Sequence, residues 1–200
     1  DLVLSAVLYG QCGDQFVGRV AGTLTYDNTA ATAMTNSTVS LSGSSTGSQG
    51  TAAGSSFGFD RVVNGNYSLA FSTNKPWGGV SSSDALIINR HIVGSVTLAG
   101  IRLRAADVNN SATVTTGDAL LVNRRVAGLV SSFTGGNWVY STETGSVNND
   151  SVTVNAKALC VGDVNGSYVP STAARMGSMT PEMNGMVETL GGDYTLEIGV

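Results

Sequence analysis

The chain has 200 residues, of which 42% are hydrophobic and only 12% charged, with a formal net charge of −4 and a pI near 4.8. Lys75 and Lys157 are its only lysines, so no basic patch can neutralise a phosphate backbone, and nucleic acid is excluded as an expected partner. No apolar run reaches the ~18 residues of a spanning helix, so membrane insertion is not expected either. Abundant Gly, Ser, Thr and Asn suit β-strands joined by tight turns in a secreted surface protein. The chain begins at Asp1 without a basic-then-apolar leader, which implies that any signal peptide is already absent and places the protein outside the cell or on its surface.

An N-terminal strand is expected over 1–17, from the apolar run Leu2 to Tyr9 that ends at Gly10 and Gly13. A β-sandwich module is predicted over 18–72. Its strands are marked by the alternation Val20, Gly22, Leu24, Tyr26, then by Val39 and Leu41, by Phe57 and Phe59, and by Tyr67, Leu69 and Phe71. Turn signals separate them at Asp27-Asn28, in the Gly/Ser stretch 42–56 and at Asn64 to Asn66.

Character changes at 73–130. Residues 80–94 match residues 114–128 at an offset of 34, with seven of 15 positions identical: Val, Asp, Ala, Leu, Asn, Arg and Gly. Each copy has Ser or Thr followed three residues later by Asp, which caps a helix start, and ends at a glycine (Gly94, Gly128) suited to a helix C-terminus. Leu86, Ile87 and Ile92 are expected to pack one helix, and Leu120, Leu121 and Val126 the other, with the two helices packed together.

Within this region, Asp107, Asn109 and Ser111 fall at positions one, three and five of a loop that closes with an acid, Asp118, at position twelve. Calcium takes roughly six to eight oxygens at about 2.3–2.6 Å, and such a loop wraps them around one ion. The three side chains would donate oxygens, Thr113 its carbonyl, and Asp118 would close the site from the next helix, with Val114 pinning the loop to the core. The first copy's own loop, 73–84, puts Lys75 and Trp77 at positions three and five, so it cannot hold an ion alone. Asp163, Asn165 and Ser167 repeat positions one, three and five without an acid at twelve, and Asp84 is such an acid without a loop. A second, composite calcium site from these four residues is the expectation, with a plain Asp/Asn turn as the alternative.

The 107–118 segment resembles a type I dockerin repeat, Asp-x-Asn-x-Asp-Gly-x-Val-Asn-x-x-Asp followed by a helix ending in Gly. Position five is Ser111 in place of Asp and position six Ala112 in place of Gly, which reduces negative charge and tightens the turn. The paired copies with 77–80 and 160–170 resemble dockerin-like regions of large secreted Bacteroidetes proteins. Strands at 20–26, 38–41 and 65–69 resemble sandwich modules of the carboxypeptidase-regulatory or collagen-adhesin B type. Together these resemblances span about 18–170. They imply a fold that is mainly β with a small α-helical insert: a β-sandwich plus a dockerin-like, calcium-binding helix pair and further β-strands. A docking face near the helix starts is also implied, at Ser82, Ser83, Thr115 and Thr116.

After Gly128, a β segment over 131–170 returns to the helix pair, with strand signals at 138–140, 152–154 and 158–161. A linker follows over 171–192. Tyr194, Leu196, Ile198 and Val200 then alternate as a strand over 193–200, which could be inserted in a partner. Cys12 and Cys160 are too far apart for a redox or zinc motif and form either one disulfide or two buried thiols.

Catalysis has no constellation to support it. Two Gly-x-Ser-x-Gly spellings at 43–47 and 54–58 sit in a Ser/Gly-rich stretch, and His91, the single histidine, corresponds to Arg125 in the other copy. Trp77 is expected to cover the core rather than to bind sugar, and the sequon at Asn36 carries little weight. Two functions remain. One is a calcium-stabilised structural subunit of a secreted cell-surface or filamentous assembly, self-associating by strand addition. The other is a dockerin module that binds a cohesin domain to anchor a larger protein.

Overall fold

The structure is a computed structural model that describes residues 17–171. The expected strands at 2–9 and 193–200, the linker beyond Ser171, and Cys12 lie outside the described residues. In chain order the elements are β1 (Val17–Tyr26), β2 (Ser37–Gly43), β3 (Gly47–Gly50), β4 (Ser56–Val63), β5 (Gly65–Thr73), α1 (Ser82–Ile92), α2 (Gly100–Ala106), α3 (Thr116–Val126), β6 (Trp138–Tyr140), β7 (Glu143–Val147) and β8 (Ser151–Cys160). Two four-stranded sheets, ordered β4-β1-β8-β6 and β3-β2-β5-β7, form the body. The fold is thus mainly β with a small helical region, as the strand alternation predicts.

Alternate residues of the strands form the core. Val20, Leu24 and Tyr26 of β1, Val39 and Leu41 of β2, and Tyr67, Leu69 and Phe71 of β5 are buried together, with Phe57 of β4 edge-on to Phe71 at 6.0 Å. The first five strands do not complete this sandwich. β8 pairs in parallel with β1 from Arg19↔Ser151 to Tyr26↔Ala158, and β7 pairs with β5. A parallel neighbour needs a long crossover, and the three helices lie in the stretch between β5 and β6. Gly22 permits the close approach of β8, since a Cβ there would sit 1.8 Å from the Val154 carbonyl oxygen.

Residues 151–160 form one strand instead of two segments, with Lys157 reaching across to Thr25 Oγ1 at 3.0 Å. β3 and β7 carry no apolar alternation because each is a polar edge strand.

Helices α1 and α3 begin with equivalent capping boxes. Ser81 N–H and Oγ donate to Asp84 Oδ2 at 2.9 and 2.8 Å, and Thr115 N–H and Oγ1 donate to Asp118 Oδ2 at 2.9 and 3.0 Å. Both end in a left-handed glycine (φ +73° at Gly94 and at Gly128), and the amide of the next residue reaches back to Arg90 or Arg124 at 2.8 Å.

The helices do pack on each other, but through a face other than the expected one. Ala85, Ile88, Ala119 and Val122 are buried, whereas Leu86 and Leu120 are 58% and 57% exposed and Ile92 and Val126 also face outward. Ile87 and Leu121 are partly buried against the core. The inward-pointing Asp84 and Asp118 set the helical phase. At about 100° per residue, a side chain two positions after the acid lies on the far side of the helix.

Candidate metal centre

Two clusters of oxygen donors flank the helix pair. In the first, the Ser111 amide donates to Asp107 Oδ1 and to Asn109 Oδ1, both at 2.9 Å, and the Ala112 amide donates to Asp107 Oδ2 at 2.7 Å. Ser111 Oγ donates to the Thr113 carbonyl at 3.0 Å, and the Asn109 amide donates to Asp118 Oδ1 at 3.3 Å. The loop leaves α2, folds around these groups and delivers Asp118 from the first turn of α3. Val108 is fully buried and Val114 packs against the core, so both edges of the loop are fixed.

The second cluster has the same bonds. The Ser167 amide donates to Asp163 Oδ1 at 3.0 Å and to Asn165 Oδ1 at 2.7 Å, and the Tyr168 amide donates to Asp163 Oδ2 at 3.1 Å. Ser167 Oγ donates to the Gly79 carbonyl at 3.1 Å, and the Asn165 amide donates to Asp84 Oδ1 at 3.1 Å. All nine sequence-predicted ligand residues therefore fall into two groups, Asp107, Asn109, Ser111, Thr113 and Asp118 in one and Asp84, Asp163, Asn165 and Ser167 in the other. Lys75 is not drawn into the second group, since its ammonium turns to Thr35 Oγ1 at 3.4 Å.

The donor chemistry fits a hard cation. Among the described residues no three His, Cys, Asp or Glu side chains gather as a metal group. Each cluster instead has two carboxylates, with Asn, Ser and a main-chain carbonyl completing an all-oxygen set of the kind calcium takes. Asp84, Asp118 and Asp163 are the charged residues that are fully buried, each 0% exposed. The ion pairs among the described residues, Arg19–Asp60 and Arg102–Asp27, include none of them. Burial pushes the Asp84 carboxyl above its ordinary range. A buried carboxylate without a cation costs several kcal/mol, which a coordinated ion offsets.

Four features escaped sequence reading. Gly79 supplies a carbonyl, and the 34-residue offset already paired it with Thr113. Tyr26 donates to Asp163 Oδ2 at 2.6 Å and accepts from the Cys160 amide at 3.1 Å, with burial holding its hydroxyl protonated. No sequence signal ties a strand tyrosine to a loop so distant. Helix α2, at Gly100–Ala106, is short and lacks a side-chain cap. Arg102 of α2 holds Asp27 at the end of β1 at 2.8 Å.

Trp77 covers the core as expected, its Nε1 donating to the Val161 carbonyl at 2.9 Å and its ring lying edge-on to Phe133 and beneath Arg125. His91, at the position equivalent to Arg125, accepts from the Leu98 amide and so ties down the turn after α1. Cys160 is buried, which pushes its thiol up to about 12.

The family model of the Dockerin type I domain matches residues 78–127. This stretch is similar to dockerin domains. It takes in α1, α2, the loop 107–118 and α3, and it ends before the 163–168 segment. Dockerin type I domains are non-catalytic binding modules of extracellular or cell-surface proteins, typically bind calcium, and interact with cohesin domains. The chain finds no match among curated proteins. No helix among the described residues is long and apolar enough to cross a membrane.

Proposed function

We propose that the chain is a non-enzymatic, calcium-stabilised dockerin module carried on a β-sandwich, and that it docks a cohesin domain to anchor a larger extracellular protein. The observation that carries this reading is the dockerin match laid over an oxygen-lined loop that ends in a buried acid, which no ion pair among the described residues includes. Asp107, Asn109, Ser111, the Thr113 carbonyl and Asp118 hold the ion, and the ion fixes the start of α3. Ser82, Ser83, Thr115 and Thr116, all exposed at the helix starts, form the docking face together with outward-facing Leu86 and Leu120. Titration of the full chain against a panel of type I cohesins, in millimolar calcium and in excess chelator, tests it. Binding to at least one cohesin is expected, with loss in chelator. No binding across the panel, or binding indifferent to calcium, overturns the reading.

One observation favours a second reading, a structural subunit joined to its neighbours by strand addition. β6 pairs only with residues 158–160 of β8, so over 151–156 β8 has β1 on one side and no strand on the other among the described residues. An open edge accepts an added strand, and the alternating residues 194–200 offer one. On this reading light scattering detects oligomers of the full chain and monomers after deletion of 193–200. A full chain that is monomeric at every concentration rules it out.

A further inference from the structure

We propose that segment 163–168 is the displaced ligand loop of the first helix, and that with Asp84 and the Gly79 carbonyl it forms a second calcium site clamping the helix pair to the sandwich. The inference rests on the calcium-binding reading above but concerns residues outside the dockerin match. Three observations carry it. First, the cluster reproduces the 107–118 loop bond for bond, although Asp84 and Asn165 are 81 residues apart in sequence. Second, Asp84 and Asp163 are both fully buried, and no ion pair among the described residues includes either, so their donors are hydrogen bonds alone and a cation would add the missing opposite charge. Third, Gly79 sits at φ +88°, and a Cβ there would lie 2.5 Å from Asp163 Oδ2, so the position favours a bare backbone, whose carbonyl accepts from Ser167 Oγ at 3.1 Å.

The clamp follows from what holds each half. Asp84 belongs to the first turn of α1. Asp163 is held by Tyr26 of β1, whose hydroxyl also accepts the Cys160 amide at the end of β8. An ion between the two acids therefore joins the dockerin helices to the two central strands of one sheet. In the dockerin repeat the loop immediately precedes its helix. Here the segment follows its helix, with α2, α3 and β6–β8 between them, and calcium would make the connection that the chain order does not.

The test is calcium titration calorimetry on the full chain, with hydrogen exchange at 26–28 and 158–162 as a second readout. The wild type is expected to bind two ions, Asp163→Asn and Gly79→Ala one, and Asp118→Asn one. Calcium should slow exchange at 26–28 and 158–162 in the wild type and in Asp118→Asn, and leave it unchanged in Asp163→Asn. The double variant Asn165→Ala/Ser167→Ala removes donors without touching a buried charge, and should weaken one of the two ions at least tenfold with the fold intact. A wild type that binds one ion, lost in Asp118→Asn, overturns the composite site and leaves the dockerin reading standing. A wild type that binds none overturns both.

Discussion

Ala112 occupies the turn of the 107–118 loop with a left-handed backbone, φ +67°. A side-chain-bearing residue pays about 1–2 kcal/mol there, whereas glycine does not. The dockerin pattern has glycine at this position, so the strain belongs to this chain. Ala112→Gly removes it at a cost of roughly 0.5–1 kcal/mol in unfolded-chain freedom. Net stabilisation of up to about 1 kcal/mol is the expected outcome in chemical denaturation, together with tighter calcium binding. Unchanged or lower stability would show that the turn relaxes around alanine. The adjacent change, Ser111 in place of Asp, is different in kind, because the hydroxyl keeps the position-five oxygen and gives up only its charge.

At the scale of the elements, the helix pair separates stability from docking. Ile88 and Val122 are buried at equivalent positions of α1 and α3, beside Ala85 and Ala119, whose small side chains let the helices approach. Ile88→Ala should cost about 2–5 kcal/mol through lost burial and the cavity left behind, read as a lower denaturation midpoint. Leu86→Ala with Leu120→Ala removes exposed side chains, so stability should stay within roughly 0.5 kcal/mol per site, while affinity for a cohesin falls at least tenfold. Equal loss of stability in both variants would mean that the outward leucines are packing residues after all. The repeat and its caps were legible in the sequence because Ser/Thr, Asp and Gly have fixed places at helix ends. The packing face was not. Apolar side chains alone point to Leu86 and Leu120, and the phase becomes readable only once Asp84 and Asp118 are required to point inward. The composite cluster was legible for the same reason, since half a ligand pattern at 163–167 and half at 84 imply each other. Tyr26 was hidden in a strand alternation that accounts for its burial without any partner.

At the scale of the whole molecule, the proposed calcium sites would make the helix pair and the sandwich unfold as one cooperative unit. Ligand that binds only the folded chain stabilises it by about 4 kcal/mol at a thousandfold excess over Kd. For a chain of this size each kcal/mol is worth roughly 2–4 °C. Chelator should therefore lower the melting temperature by about 8–16 °C in a single transition. Tryptophan fluorescence reads it at the junction, since Trp77 bonds Val161 and Trp138 lies on β6. A transition that splits in chelator, helices first, would locate the calcium effect in the dockerin alone.

Tyr26 tests the connection itself. Tyr26→Phe keeps the ring, which packs edge-on to Trp138 and Tyr168 at 5.9 and 5.8 Å, and removes only the hydroxyl. The Cys160 amide then lacks its acceptor, and Asp163 Oδ2 loses its shortest donor. Leaving a buried polar group unsatisfied costs about 1–3 kcal/mol, so the variant should melt lower with and without calcium. If the hydroxyl is the link between ion and sheet, calcium should still bind at both sites, yet protect 158–162 less from hydrogen exchange than in the wild type. Full protection in Tyr26→Phe would assign the link to the backbone of 160–163 instead, where the Asp163 amide donates to the Cys160 carbonyl at 3.1 Å.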